Sequence, residues 1–456
     1  MLYIILKLIY KTGLWVFFRK FEVRNEEAIP AKGPLLLVSN YPNTFMDPVV
    51  IASILRQPAY FLAKSTVFGS GFTSKILRLM HLIPIHRRED APDQPVNNDE
   101  AFAASFKALA DGKAIIIFPE GNSFNERRLR KIKTGTARIA LGAASEFGAD
   151  VKIIPIGLNY SNPTRFRSRV FVNVGEPIKA SDYLSSFQSD STEAVLALTD
   201  QIKQSLENLI IHTPTDDDDE LARHIDIIYK DKLNTAEIQA APDQEQEFLR
   251  VKAIVRSINY FRQTAPELVT ALREKINFYM EQLEHLHLRD GVIVKANKEL
   301  VRQGIFATLY LVFGFPIYFF GLIHNYIPYI IPSAITRRLT HEEEWYAPIM
   351  LTIGIFTFPI FYALEAWIFW QFVPSLVWTS VYLLSLVVSG FFTLSYWYTW
   401  RYAQEHWVLL MLFSKSSDMV LRIKKLRQEI ISELEWAKQE YLKQFGPEQE
   451  DMATRH

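Results

Sequence analysis

The sequence predicts an α/β fold, a mostly parallel sheet covered by helices, followed by a C-terminal helical and transmembrane region. Three observations predict it. From residue 26 to about 212, short apolar runs alternate with helix-period segments, as parallel strands with helical crossovers do. Two polar stretches, SNYPNTFMDP (Ser39 to Pro48) and FPEGNSFNERRLRKIKTG (Phe118 to Gly135), each follow a short apolar run, where open α/β sheets collect ligands. From 303 to 400, Phe, Ile, Leu, Trp and Tyr are too dense for a water-exposed fold.

A chain of 456 residues, 49% hydrophobic, has room for two or three domains. Its 50 Lys and Arg balance its 50 Asp and Glu, so no nucleic acid partner is expected and any phosphate recognition must be local. The absence of cysteine excludes disulfides, thiolate nucleophiles and Cys-ligated zinc.

Residues 1–25 begin with LYIILKLIYKTGLWVFFRKF, an apolar helix carrying Lys7 and Lys11 and ending in Arg19 and Lys20. That pattern predicts a helix lying on a membrane, with a helix packed on the next domain as the other reading. No small-residue cleavage site follows, so it does not read as a signal peptide. In the 26–212 domain the predicted strands are Pro34 to Val38, Tyr60 to Ala63, Leu82 to Ile85, Ala114 to Phe118, Ile153 to Leu158 and Val170 to Val174. Helices are predicted from Asp47, an N-cap candidate with Pro48 in the first turn, and near 74–80, 98–110, 134–148 and 192–210.

A helical linker region is expected over 213–302. It opens with TPTDDDDE (Thr213 to Glu220), whose adjacent aspartates cannot all face one ion, so a solvated linker or an acidic first turn is expected. Phe248, Val251, Val255 and Ile258 mark one apolar helix face. In the C-terminal amphipathic segment, 403–456, Met419, Ile423, Leu426, Ile430, Leu434 and Ala437 recur at heptad-like spacing, and the two helical regions are expected to pack together.

Between them lies the transmembrane region, 303–402. Pro316, Pro328 and Pro332 predict a re-entrant or kinked first element, and 346–372 with 374–400 a clear pair of spans. Glu365 is expected near an interface or facing another helix. Lys295, Lys298 and Arg302 before this region, and Arg401, Lys415, Arg422, Lys424 and Lys425 after it, predict an even number of crossings with the 26–212 domain on the cytoplasmic face. Three crossings is the alternative.

The two polar stretches resemble the glycerolipid acyltransferase superfamily, whose first motif reads N-H-x4-D and whose third contains FPEG. HLIPIHR, ending at Arg87, matches the second motif and KIIPIGL, with Pro155, the fourth, so four blocks agree in order and spacing. Lys64, in YFLAK, sits where the family often has a phosphate-contacting Lys, and KTG (Lys133 to Gly135) stands for its Lys/Arg-x-Gly. At the catalytic His position this chain has Tyr41 if five residues intervene before Asp47, or Pro42 if four do. The PNTFMD wording resembles the yeast-type and some bacterial glycerol 3-phosphate acyltransferases, which selects Tyr41.

The resemblance implies transfer of a fatty acyl group from acyl-CoA or acyl carrier protein to glycerol 3-phosphate or lysophosphatidic acid, at a phospholipid bilayer, with no metal and no bound cofactor. It implies a catalytic pair at Asp47 and Tyr41, phosphate contacts at Lys64, Arg87 and Lys133, and an acceptor loop ordered by Glu120 and opened to close backbone approach by Gly121. Arg127, Arg128 and Arg130 are further cations or solvated charges. A phenol, with a pKa of about 10, is a poor base at neutral pH. Losing a positioned base costs roughly a hundredfold to ten-thousandfold in rate. The chain is therefore a weak enzyme, one that recruits His81 or His86 beside the second motif, or a catalytically impaired homologue acting as a lipid-binding or scaffold membrane protein.

Overall fold

The computed structural model describes residues 2–68, 71, 75, 77, 79–86, 98–233, 241–294, 297–415 and 417–445. Arg87 and part of the helix expected near 74–80 lie outside the described residues. The chain divides into two units: Met1–Pro214 with Thr336–Ile355, and Thr215–Ile335 with Phe356–Arg455.

In the first unit, β1 (Lys20–Arg24), β2 (Leu35–Ser39), β3 (Ala59–Lys64), β4 (Leu82–Ile85), β5 (Ala114–Ile117), β6 (Lys152–Tyr160) and β7 (Arg169–Val174) form one sheet in the order β1-β7-β6-β2-β5-β3-β4. The short β8 (Ile178–Lys179) pairs with the start of β6. All pairings are parallel except β6 with β7 and β6 with β8. Central β2 is buried on both faces, and its alternation divides the core. Leu35 and Leu37 pack with α1 (Leu2–Phe17) and α2 (Met46–Ile54), while Leu36 and Val38 face the helices Gly135–Phe147 and Ser191–Leu209. The predicted fold class is the one observed, with strand ends moved by a residue or two.

Three expectations need correction here. The N-terminal segment is not helical to residue 25: α1 ends at Phe17, and Lys20–Arg24 is an edge strand whose Phe21 and Val23 pack on the core. One face of α1 is built into the domain through Leu14 and Phe17, while Ile4, Leu8 and Trp15 stay about two-thirds exposed. The apolar region is also not a separate block. Ala347 and Leu351 belong to the same core cluster as Leu37 and Met46, and the side chains of Leu351 and Ile355 close over Gly13. Finally, Asp47 is not the N-cap: Phe45 holds that position and Asp47 sits in the first turn.

The second unit is helical. The aspartate run opens the helix Asp216–Leu233, so the acidic-first-turn reading describes it and the solvated-linker reading does not. Asp218 is 1% exposed and pairs with Arg262 and Arg273. Among the described residues no cluster of His, Cys, Asp and Glu could hold a metal. Phe248, Val251, Val255 and Ile258 are buried, as are Ile423, Ile430 and Leu434 of the helix Ser417–Phe445, whereas Met419 is exposed. That helix pairs with Pro266–His285 through Lys275 and Glu433, and Arg427 bonds the buried Asp290.

Among the described residues, three helices are long and apolar enough to cross a membrane: Asn297–Leu339, Tyr346–Phe372 and Leu376–Lys415. The first runs unbroken through Pro316, Pro328 and Pro332, correcting the re-entrant reading. Pro332 leaves the Pro328 carbonyl without its helical donor, and Thr357 Oγ1 supplies one at 3.4 Å, the compensation that lets proline persist in an apolar helix. Glu365 faces other helices, accepting from Tyr382 OH at 3.2 Å with His324 Nδ1 at 3.0 Å.

Candidate active site

The site is built where β2 and β5 end. Asn40 prolongs β2 with its side chain: Nδ2 donates to the Leu158 carbonyl at 3.0 Å and Oδ1 accepts from Leu158 N–H at 2.8 Å. The chain then turns through Tyr41 to Phe45 into α2. The carboxylate of Asp47, fully buried, reaches back into this turn, where Oδ2 accepts from Asn43 N–H at 2.7 Å. Its Oδ1 accepts from Tyr160 OH, also 2.7 Å away, on the last residue of β6. Burial pushes the Asp47 carboxyl well above the ordinary range, against the pull of these two donors. Burial and the neighbouring Asp47 likewise push the Tyr160 phenol up.

Glu120 joins the two motif loops. Oε1 accepts from Tyr41 N–H at 2.9 Å and Oε2 from Arg130 N–H at 3.0 Å. Its pKa is raised by burial, with those N–H groups opposing. The Tyr41 ring stacks on Phe118 with centroids 4.2 Å apart and planes at 17°. Tyr41 therefore stands beside the FPEG segment.

Thr44 is a further junction. Its N–H donates to Ser123 Oγ and its hydroxyl to the Glu344 carbonyl, both at 2.8 Å. Its φ of +33° is a strained value for a β-branched residue, worth about 1–3 kcal/mol, so its surroundings must hold it there.

Gly121 has φ +85°, and a Cβ there would come 2.7 Å from Lys133 Nζ. Glycine thus lets Lys133 lie across the FPEG turn. Lys133 also lines an open cleft of about 540 Å³ with Asn98, Thr134, Gly135 and Arg138. Lys64 ends β3, on the same carboxyl edge of the sheet. Arg127 donates to the Tyr160 carbonyl at the end of β6 at 3.2 Å, and Arg128 and Arg130 pair with Glu126 of their own loop at 2.5 and 2.7 Å.

The two histidines differ. His81 precedes β4 at the amino end of the sheet and stacks on Tyr60 at 4.6 Å, so it is not a base for a site at the carboxyl end. His86 follows β4 at the correct end, exposed, with Nδ1 3.1 Å from Ser65 Oγ. The structure therefore brings Tyr41, Asp47, Glu120, Gly121 and Lys133 into two linked loops, with Lys64 on a neighbouring strand end. Sequence reasoning missed Tyr160, Thr44 and Ser123. The position of Tyr160 at the end of the fourth-motif strand was its only sequence signal.

Residues 20–159 match the family model described as Acyltransferase. An uncharacterized acyltransferase of Schizosaccharomyces pombe is 24% identical over 376 residues, covering 62% of this chain and 54% of that protein. Glycerol-3-phosphate O-acyltransferase 1 of Saccharomyces cerevisiae is 36% identical over 110 residues, 23% of this chain and 14% of the yeast protein. The 1-acyl-sn-glycerol-3-phosphate acyltransferase of Borreliella burgdorferi is 25% identical over 216 residues, 46% of this chain and 80% of its own length. The chain thus spans about half the length of the first of these and about a seventh of the second. The solved structure of a 1-acyl-sn-glycerophosphate acyltransferase from Thermotoga maritima aligns with 45% of this chain and 79% of its own, at 21% identity and a TM-score of 0.33.

Proposed function

We propose that the chain is a membrane-bound O-acyltransferase that moves a fatty acyl group from a thioester, acyl-CoA or acyl carrier protein, to glycerol 3-phosphate or lysophosphatidic acid. The observation that carries this reading is the Glu120 carboxylate, which ties the Tyr41 turn to the basic loop ending at Lys133 within the region that matches the Acyltransferase family model. The activities of the yeast and Borreliella relatives support the acceptor class. In this reading Lys64, Lys133 and Arg87 hold the acceptor phosphate and Glu120 and Gly121 shape its loop. Asp47 keeps the turn in place, and no further cofactor is required. Three full crossings would put the two basic flanks on opposite faces, so the flanks by themselves do not assign the domain to the cytoplasmic side.

A second reading, a catalytically impaired homologue that binds lipid or scaffolds membrane enzymes, is favoured by one observation. Tyr41 replaces the base, and both Asp47 oxygens already accept hydrogen bonds, from Asn43 and Tyr160. Thioester consumption by the full chain in membranes, with and without glycerol 3-phosphate or lysophosphatidic acid, decides between them. Acceptor-dependent turnover supports the enzyme. Acceptor binding without turnover supports the impaired homologue.

A further inference from the structure

We propose that the connector between the first two membrane-length helices, residues 340–345, belongs to the frame of the site, and that Thr44 is the positioning residue through which it holds the first-motif turn. The contacts all lie within the first unit. The Glu344 carbonyl accepts from Thr44 Oγ1 at 2.8 Å, and Glu343 Oε2 accepts from Asn125 Nδ2 at 3.0 Å. Thr44 N–H is held by Ser123, two residues before Asn125. The first-motif turn, the loop after FPEG and the connector therefore meet at one side chain that is 6% exposed.

Three features make this junction more than an incidental contact. Thr44 adopts a left-handed φ that a β-branched residue rarely takes, and both its N–H and its hydroxyl are used to hold it there. The connector is fixed on its far side, because Ala347 and Leu351 sit in the core cluster with Met46 and Val50 of α2, the helix whose first turn carries Asp47. Thr44 lies midway between Tyr41 and Asp47, so any displacement of the connector moves the backbone that carries both. A shift of about 1 Å at such a turn is enough to misplace a reacting group. The connector thus touches the first-motif turn directly.

The effect on turnover rests on the acyltransfer reading; the clasp itself does not. The chain has no cysteine, so a pair introduced by Asn125→Cys and Glu343→Cys reports on this contact alone. In the full chain in membranes, mild oxidation is expected to cross-link the pair, linking two proteolytic fragments that each single variant leaves separate. In hydrogen exchange, Thr44→Val is expected to speed exchange across residues 39–48 about tenfold, since it removes one hydrogen bond worth on the order of a factor of ten. Thr44→Ser should restore protection, and strand 152–160 should stay unchanged. Where turnover is measurable, Thr44→Val lowers kcat about tenfold with the acceptor KM held, and Thr44→Ser rescues it. No cross-link, wild-type exchange in Thr44→Val, or failure of serine to rescue overturns the proposal. If Thr44→Val also unprotects 152–160, Asn125→Ala takes its place, and unchanged exchange at 123–126 then overturns it. A wild-type chain without turnover defeats the acyltransfer reading, while the cross-link and exchange still decide the connector.

Discussion

Tyr160 donates its phenolic hydrogen to Asp47 Oδ1 across 2.7 Å in the interior of the domain. One residue ends the strand of the fourth motif and the other lies in the first turn of the helix of the first, so the bond ties β6 to α2. A buried carboxyl needs every donor it can reach, because leaving a buried acceptor unpaired costs its full desolvation. Asp47 is thus an anchor of the turn whatever else it does.

Tyr160→Phe is expected to destabilise the domain by about 1–3 kcal/mol, the usual range when a buried acceptor loses its donor. Thermal unfolding of the purified full chain measures it. An unchanged midpoint would mean that Asp47 Oδ1 finds another donor.

Asp47 also makes stability depend on pH. Its native pKa is raised by burial, whereas an unfolded Asp titrates at about 3.9, so between these values the folded chain binds more protons than the unfolded one. Its contribution is fully present below about pH 3.9 and is lost as pH rises through the native value. Glu120, raised for the same reason, acts in the same direction from its own unfolded value of about 4.3. Asp47→Asn keeps the shape, with its oxygen toward Asn43 N–H and its amide toward Tyr160, and removes the titration. The midpoint difference between the native chain and Asp47→Asn should therefore move against the native chain as pH climbs from about 4 toward neutrality. A constant difference would mean that Asp47 titrates alike in both states.

Gly121→Ala meets two obstacles, a φ of +85° and a Cβ placed 2.7 Å from Lys133 Nζ. The lysine is long and can swing away, so the fold should survive with a loss of about 1–2 kcal/mol from the backbone strain. Displacing Lys133 should raise the acceptor KM more than it lowers kcat. Lys133→Ala should reproduce the KM effect without the stability loss. Agreement of the two variants in KM, set beside their difference in unfolding midpoint, checks the assignment.

How much of this was legible in the sequence follows from which interactions are local. The strands could be read because β2 and β5 are continuous apolar runs bounded by turn residues, and burial on both faces demands that pattern. Edge strand β1 could not: KFEVR is half-buried along its length and continues an apolar helix without a break in composition. The site residues Asp47, Glu120 and Gly121 lie in two short contiguous stretches, so motif wording found them. The distant partners, Tyr160 for Asp47 and the Glu344 carbonyl for Thr44, come from 113 and 300 residues away, and nothing in the sequence beyond the place of Tyr160 at the end of the fourth-motif strand points to either. The same holds for the helix Tyr346–Phe372, where hydropathy reports an apolar segment but not that its first turns, through Ala347 and Leu351, belong to the core of the α/β domain.

The last prediction concerns the base. Tyr41 has its N–H held by Glu120 and its ring stacked on Phe118, so its backbone and ring plane are fixed by groups that a histidine would meet unchanged. Tyr41→His should therefore fold as the native chain does. An imidazole there supplies a base with a pKa near about 6.5, and turnover should rise by roughly two to four orders of magnitude, the range for positioned general-base catalysis. The gain depends on Asp47 sharing Oδ1, which Tyr160 now occupies, so Tyr41→His combined with Tyr160→Phe should exceed Tyr41→His alone. Asp47→Ala in either background should remove most of the gain. The measurement is acceptor-dependent thioester consumption in membranes for the native chain, both single variants and the double. Native turnover that is already high and unchanged in Tyr41→Phe would transfer the role of base to another group, with His86, at the carboxyl end of β4, the next substitution to make. If neither histidine variant exceeds an inactive parent, the loss extends beyond the base, and the chain acts by binding lipid rather than by acylating it.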